Sequence, residues 1–235
     1  MKPEIFKSIS GFREMSIRRR RVSELLSSMD DPQVAVLLDQ VVSNARGLES
    51  GVYLDFMAAV LFDPGLDYRR RRDVYEAMIG LGFVDNAPIM LETPDRYAEF
   101  PFYDLEDMPL GVRKAKARTR DRDLLIRLCR DRDPDVIEIL LKNPVLTQAE
   151  VLRIVSMRPQ SGKVLKRVFC NARWAYRDNL ITALVLNKWA PTGLAMALVP
   201  VLGLKTLKDV KQDRTLHKLV REMAARVYKA SLIRT

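Results

Sequence analysis

Apolar positions recur at three- and four-residue spacing over most of the chain, the signature of helices with one buried face. In residues 13–28, Ile17, Val22, Leu25 and Leu26 lie on one side, and Arg18 to Arg21 cross the other. A second helix is expected to open at Asp31-Pro32, an N-cap acid followed by proline at the first helical position. Val34, Val36, Leu37, Leu38 and Val41 then form its stripe. A third covers 51–62 and a fourth 69–82, the latter with Val74, Met78, Ile79 and Leu81 inward.

Residues 85–111 break this rhythm with four prolines, many acids and no sustained period. They are expected to form a surface linker, because a long structureless stretch marks a boundary. The chain therefore reads as an N-terminal helical region (1–84), an acidic Pro-rich linker (85–111) and a C-terminal helical domain (112–235). In the last, short helices follow one another with tight punctuation. Asp133-Pro134 opens a helix and Asn143-Pro144 closes it, asparagine accepting the left-handed conformation and proline preventing continuation. Thr147 and Glu150 form a capping box, and Leu146 can pack on Val151 as a hydrophobic staple. Further helices are expected at 162–170, 174–187, 191–202, 204–212 and 214–229. Residues 180–186 are apolar nearly all round, so that helix should be covered on several sides. Asn187 repeats the role of Asn143, and "LLKNPVLT" and "LVLNKWAPT" are similar stops 44 residues apart.

The stretch "RDPDVIEILLKNPVLTQAEVLRIV" resembles units of HEAT-like and leucine-rich-variant repeats: Asp-Pro-Asp, an apolar helix, Asn-Pro, then a second helix. Its continuation to "MALVPVL" resembles a family of uncharacterised bacterial helical-repeat proteins, over about 112–230. The resemblance implies an all-α protein whose C-terminal half is a short HEAT-like α-solenoid, and it implies a binding surface rather than a chemistry.

Charge adds direction to this picture. Residues 1–118 hold 17 Lys/Arg against 19 Asp/Glu, a net of −2, whereas 119–235 hold 23 against 11, a net of +12. The positive surplus belongs to the C-terminal half and attracts anionic partners. Scarce glycine, 10 in the chain, and the absence of Asn-Gly and Asp-Gly further favour helices. The N-terminus lacks the apolar core of a signal peptide, and the longest apolar run, Leu194 to Leu202, is about half a membrane span. A cytoplasmic protein without a membrane span is expected.

Candidate chemistry is sparse. Cys129 and Cys170 sit in apolar helical patterns without a Cys-x-x-Cys pair and read as small buried residues. The single histidine, His217, has no partner at i+4, so the helical zinc motif is absent. No phosphate-binding loop, dinucleotide fingerprint or nucleophile elbow occurs. The expectation is a non-enzymatic protein with no cofactor and no metal. The arginine runs 18–21 and 69–72 point all round their helices and read as solvated surface. The C-terminal cations form stripes instead: Lys163, Lys166 and Arg167; Lys205, Lys208 and Lys211; Arg214, Lys218 and Arg221. Arg158, Arg173, Arg177 and Lys188, with Trp174 and Trp189 between them, can add aromatic faces, although each tryptophan equally suits packing. The expected partner is an acidic protein, with sequence-independent nucleic-acid binding, possible even of a HEAT-like DNA-glycosylase kind, as the alternative.

Overall fold

Helix starts follow local side-chain chemistry. The computed structural model describes residues 11–12, 14–62, 65–91 and 108–233, and these form thirteen α-helices, short 3-10 segments and no strand. The first four are α1 (Met15–Ser28), α2 (Asp31–Ser43), α3 (Ser50–Phe62) and α4 (Tyr68–Gly80). Asp30, one residue before the expected cap, opens α2: its carboxylate accepts from Gln33 N–H at 2.8 Å, and Gln33 Oε1 accepts from Asp30 N–H at 3.3 Å. Next come α5 (Leu110–Lys116), α6 (Arg122–Leu128), α7 (Pro134–Leu141), α8 (Gln148–Ser156), α9 (Gly162–Cys170) and α10 (Asp178–Val185). The chain closes with α11 (Thr192–Leu198), α12 (Leu204–Gln212) and α13 (Lys218–Ile233). At α8 the capping box forms as expected, Glu150 Oε2 accepting from the Thr147 N–H at 2.7 Å and its hydroxyl at 2.9 Å. Leu146 and Val151 are both buried beside it.

The helices fall into two compact units, one made of residues 1–93 together with 192–235, the other of 94–191. This grouping differs from the three-part division expected from sequence. The reason lies in α11, whose seven residues are all buried. A helix apolar on every side needs cover on every side, and α3, α13 and the 3-10 turn Ala87–Met90 provide it. Tyr53 of α3 donates its hydroxyl to Ala197 O at 2.7 Å, and Arg46 donates to Leu202 O at 2.6 Å. Within the stretch expected as a linker, Ala87, Pro88, Ile89 and Met90 are all buried; residues 92–107 lie outside the described residues. Gly193 permits this close approach, because a Cβ there would stand 2.3 Å from Ile89 O. Elsewhere in this unit α1 packs on α3, α2 on α4 and α12 on α13. The expected all-round burial belongs to α3 and α11 rather than to 180–186, where Thr182, Ala183 and Leu186 are only half-buried.

In the middle unit α5 packs on α7, α7 on α9 and α8 on α10, each two places along, while α6 packs on its neighbours α5 and α7. A local repeat runs along the chain. Asp131, Asn171 and Asp213 follow α6, α9 and α12, and each side chain accepts from the N–H two residues on, Asp133, Arg173 and Thr215, at 3.0, 3.0 and 2.9 Å. Before these turns stand matching buried pairs: Leu125 and Leu128, Leu165 and Val168, Leu207 and Val210. The stops at Asn143 and Asn187 also match. Asn143 Nδ2 donates to Ala117 O (2.9 Å) and Thr119 O (2.8 Å), and its Oδ1 accepts from Val145 N–H (3.0 Å). Asn187 Nδ2 donates to Val155 O (2.6 Å) and Met157 O (3.1 Å), and its Oδ1 accepts from Trp189 N–H (3.0 Å). Neither adopts the left-handed conformation expected of it, since no non-glycine residue among those described has positive φ. These asparagines end their helices with the side chain, tying each end to that of an earlier helix.

Candidate functional site

The sequence-derived basic and aromatic candidates divide between the two units. In the middle unit several have structural partners. Arg173 donates to Asn143 O at 2.9 Å, Leu146 O at 3.0 Å and Pro144 O at 3.4 Å, and its guanidinium lies 4.5 Å from the Trp174 ring centroid. Trp174 is buried, and its Nε1–H donates to Leu141 O at 3.0 Å. Together they close the C-terminal end of α7, where the last carbonyls carry the helix's partial negative charge. Arg158 does the same at α10 through Leu186 O at 2.8 Å. Arg177 donates to Gln148 Oε1 at 3.2 Å. Lys188 lies over the half-buried Trp189, 5.9 Å from its centroid. Lys163 is exposed on α9 and Lys166 half-buried beside it.

Arg167 belongs to a ladder across α5, α7 and α9. It meets Glu138 at 3.1 Å and Asp135 at 3.6 Å, while Lys114 meets Asp135 at 2.8 Å and Lys142 meets Glu138 at 2.8 Å. The hydrogen bond from Lys114 holds the Asp135 carboxyl below its ordinary range, and that from Lys142 does so for Glu138. The positive charge of this row is therefore largely answered within the fold. In the other unit Lys208 and Arg214 are exposed, and Lys218 pairs with Glu222 at 3.6 Å.

The arginine runs 18–21 and 69–72 are not merely solvated surface. Arg18 occupies the inward position ahead of Val22 and Leu26, and it bonds the fully buried Asp55 at 2.5 Å, with Arg19 at 3.1 Å on the other oxygen. Ile17 is 39% exposed in consequence. The signal for this pair is Asp55 itself, an acid inside an otherwise apolar helix, which needs a cation. On α4, Arg71 is buried where Ile79 and Leu81 were expected inward, and it donates to Leu61 O at 2.6 Å. Arg70 staples the α1–α2 turn through Leu26 O (2.8 Å), Met29 O (2.7 Å) and Asp31 (3.2 Å).

Burial pushes the Cys129 thiol up to about 12, helped by the Glu150 charge, so it stays protonated. Asp131, fully buried, has its carboxyl raised by desolvation although Arg113 lies 2.6 Å away. His217 Nδ1 accepts from Leu219 N–H at 3.3 Å, an acceptor at the start of α13. Among the described residues no group of three His, Cys, Asp or Glu is placed to hold a metal ion, and no helix is long and apolar enough to cross a membrane. A cavity of about 60 Å³ between Val42, Ser43, Arg46, Pro200 and Val227 has room for a few waters, far below a metabolite-sized pocket. Against this geometry, no family model, no curated protein and no solved structure matches the chain.

Proposed function

We propose that this chain is a non-enzymatic, cytoplasmic binding module, an α-solenoid of HEAT-like repeats whose surface holds an acidic protein partner. The observation that carries the reading is the recurrence of one local plan: an apolar helix, an Asx turn at Asp131, Asn171 or Asp213, and an asparagine stop at Asn143 or Asn187. Stacked copies of such a unit bury a continuous core and leave an extended face for a ligand. The basic surplus of residues 119–235 selects acidic ligands by long-range attraction and partner discrimination.

Nucleic acid uses the same cations but adds aromatic faces on which bases stack. Here Trp174 is buried under Arg173, Lys188 lies over Trp189 and Lys211 covers Tyr228. That favours carboxylates over bases as the ligand. The test titrates labelled poly-L-glutamate and, separately, single- and double-stranded oligonucleotides into the protein across a salt series. Binding of polyglutamate tighter than binding of either oligonucleotide at equal ligand charge is expected. Oligonucleotide binding that is tighter and falls linearly with log salt would replace this reading by nucleic-acid binding.

A further inference from the structure

The cations of α12 differ from Arg167 of the middle unit because the fold leaves them unanswered. Lys205 and Lys208 are exposed on α12 and Arg214 in the turn behind it, and none of the three joins an ion pair among the described residues. Leu207 and Val210, both fully buried, anchor the opposite side of the helix. A three-residue step along a helix is about 4.5 Å of axial rise, so the lysines follow one another at nearly one turn. On the flank toward α13, Lys211 Nζ sits 4.1 Å from the Tyr228 ring centroid and closes that aromatic face. Arg221 of α13 is half-buried, with its Nε shielded from solvent and without an acceptor among the described residues.

Three carboxylates share this helix pair. Asp209 is exposed on α12, Asp213 accepts from Thr215 N–H and Oγ–H, and Glu222 is held by Lys218. Against them stand eight Lys/Arg between Leu204 and Ile233, a net of +5. On α9, Lys163 and Lys166 occupy the same register as Lys205 and Lys208, 42 residues earlier. There Asp135 and Glu138 of α7 answer the neighbouring Arg167. At the place of Arg167, α12 has Asp209.

We propose that α12 and the turn after it are the docking face for an acidic polypeptide segment, with carboxylates one helical turn apart meeting Lys205, Lys208 and Arg214. This rests on the acidic-partner reading and gives it a place. Asp and Glu at i, i+3 or i, i+4 repeat at the spacing of Lys205 and Lys208.

The test uses the full chain and a fluorescein-labelled glutamate peptide of about twenty residues, long enough to cover several cations, read by fluorescence anisotropy at low salt. Lys205→Glu/Lys208→Glu is compared with Arg69→Glu/Arg153→Glu, which makes the same charge change at exposed positions elsewhere, and circular dichroism confirms that both remain helical. Roughly tenfold weaker binding by the first variant and less than about twofold by the second is expected. Equal weakening by both would overturn the docking face while leaving an acidic ligand in place. Absence of peptide binding by the unaltered protein would overturn the acidic-partner reading itself. An oligothymidylate of equal charge that binds tighter than the peptide, and is lost in the first variant alone, would keep the face and replace the polypeptide by nucleic acid.

Discussion

Gly193 shows how one residue fixes the packing of a whole helix. Its missing Cβ would lie 2.3 Å from a backbone oxygen, Ile89 O, and 3.3 Å from Leu91 O. Backbone cannot rotate away as a side-chain tip can, so Gly193→Ala must displace either α11 or the 87–90 turn. The expected cost is at the upper end of overpacking, about 3 kcal/mol, despite the better helix propensity of alanine. Urea unfolding of the two proteins measures it, and a midpoint unchanged by the substitution would show that the contact is looser than the structure has it. Gly82 is special in another way, because its φ of +81° follows α4 with nothing within 4 Å of a Cβ. There conformation rather than space selects glycine.

Helix boundaries were largely legible because they depend on neighbours in sequence. The spans 162–170 and 204–212 agree with Gly162–Cys170 and Leu204–Gln212, and Asp133, Thr147 and Glu150 act at the N-termini as their types require. What sequence could not show was the long-range use of polar side chains. Asn143 and Asn187 read as left-handed stops, yet they work through carbonyls 24 to 32 residues away. Arg18 reads as surface until Asp55 is brought to it, 37 residues on. The basic stripes were legible as spacing, but whether a cation is answered depends on helices packed beside it, as for Arg167 and Lys208. The asparagine role has a direct test. If the side-chain bonds stop the helix, Asn143→Gly should destabilise about as much as Asn143→Ala, each by about 2 kcal/mol, since buried carbonyls lose their donor in both. If backbone conformation mattered instead, glycine would be tolerated, and thermal unfolding of the pair would show it.

At the scale of the molecule, acid acts on two opposed sets of carboxyls. Asp135 and Glu138 are held below their ordinary values of 3.8 and 4.5 by cations, so they favour the folded state at neutral pH, and that contribution is lost as pH falls through those values and below. Asp131 is raised above 3.8 by burial, so its charge opposes folding, and protonation relieves the opposition as pH falls toward 3.8. Asp131→Asn keeps the acceptor for Asp133 N–H but removes the compensating titration. Its stability should therefore fall more steeply than that of the unaltered protein between pH 6 and about 4. Urea midpoints measured at several pH values would decide, and parallel curves would refute the account.

The first unit is assembled from the two outer parts of the chain, and synthesis delivers them in order. When residues 1–93 have left the ribosome, α3 has ten buried-type side chains and no α11 to lie against, and the hydroxyl of Tyr53 waits for a carbonyl 144 residues downstream. The middle segment, 94–191, emerges next, and its helices already have their neighbours. The nascent chain is therefore completed inside out in time: the interior of the sequence matures while its first helices remain unfinished. Throughout that interval an apolar helix is available to chaperones, and to other nascent chains.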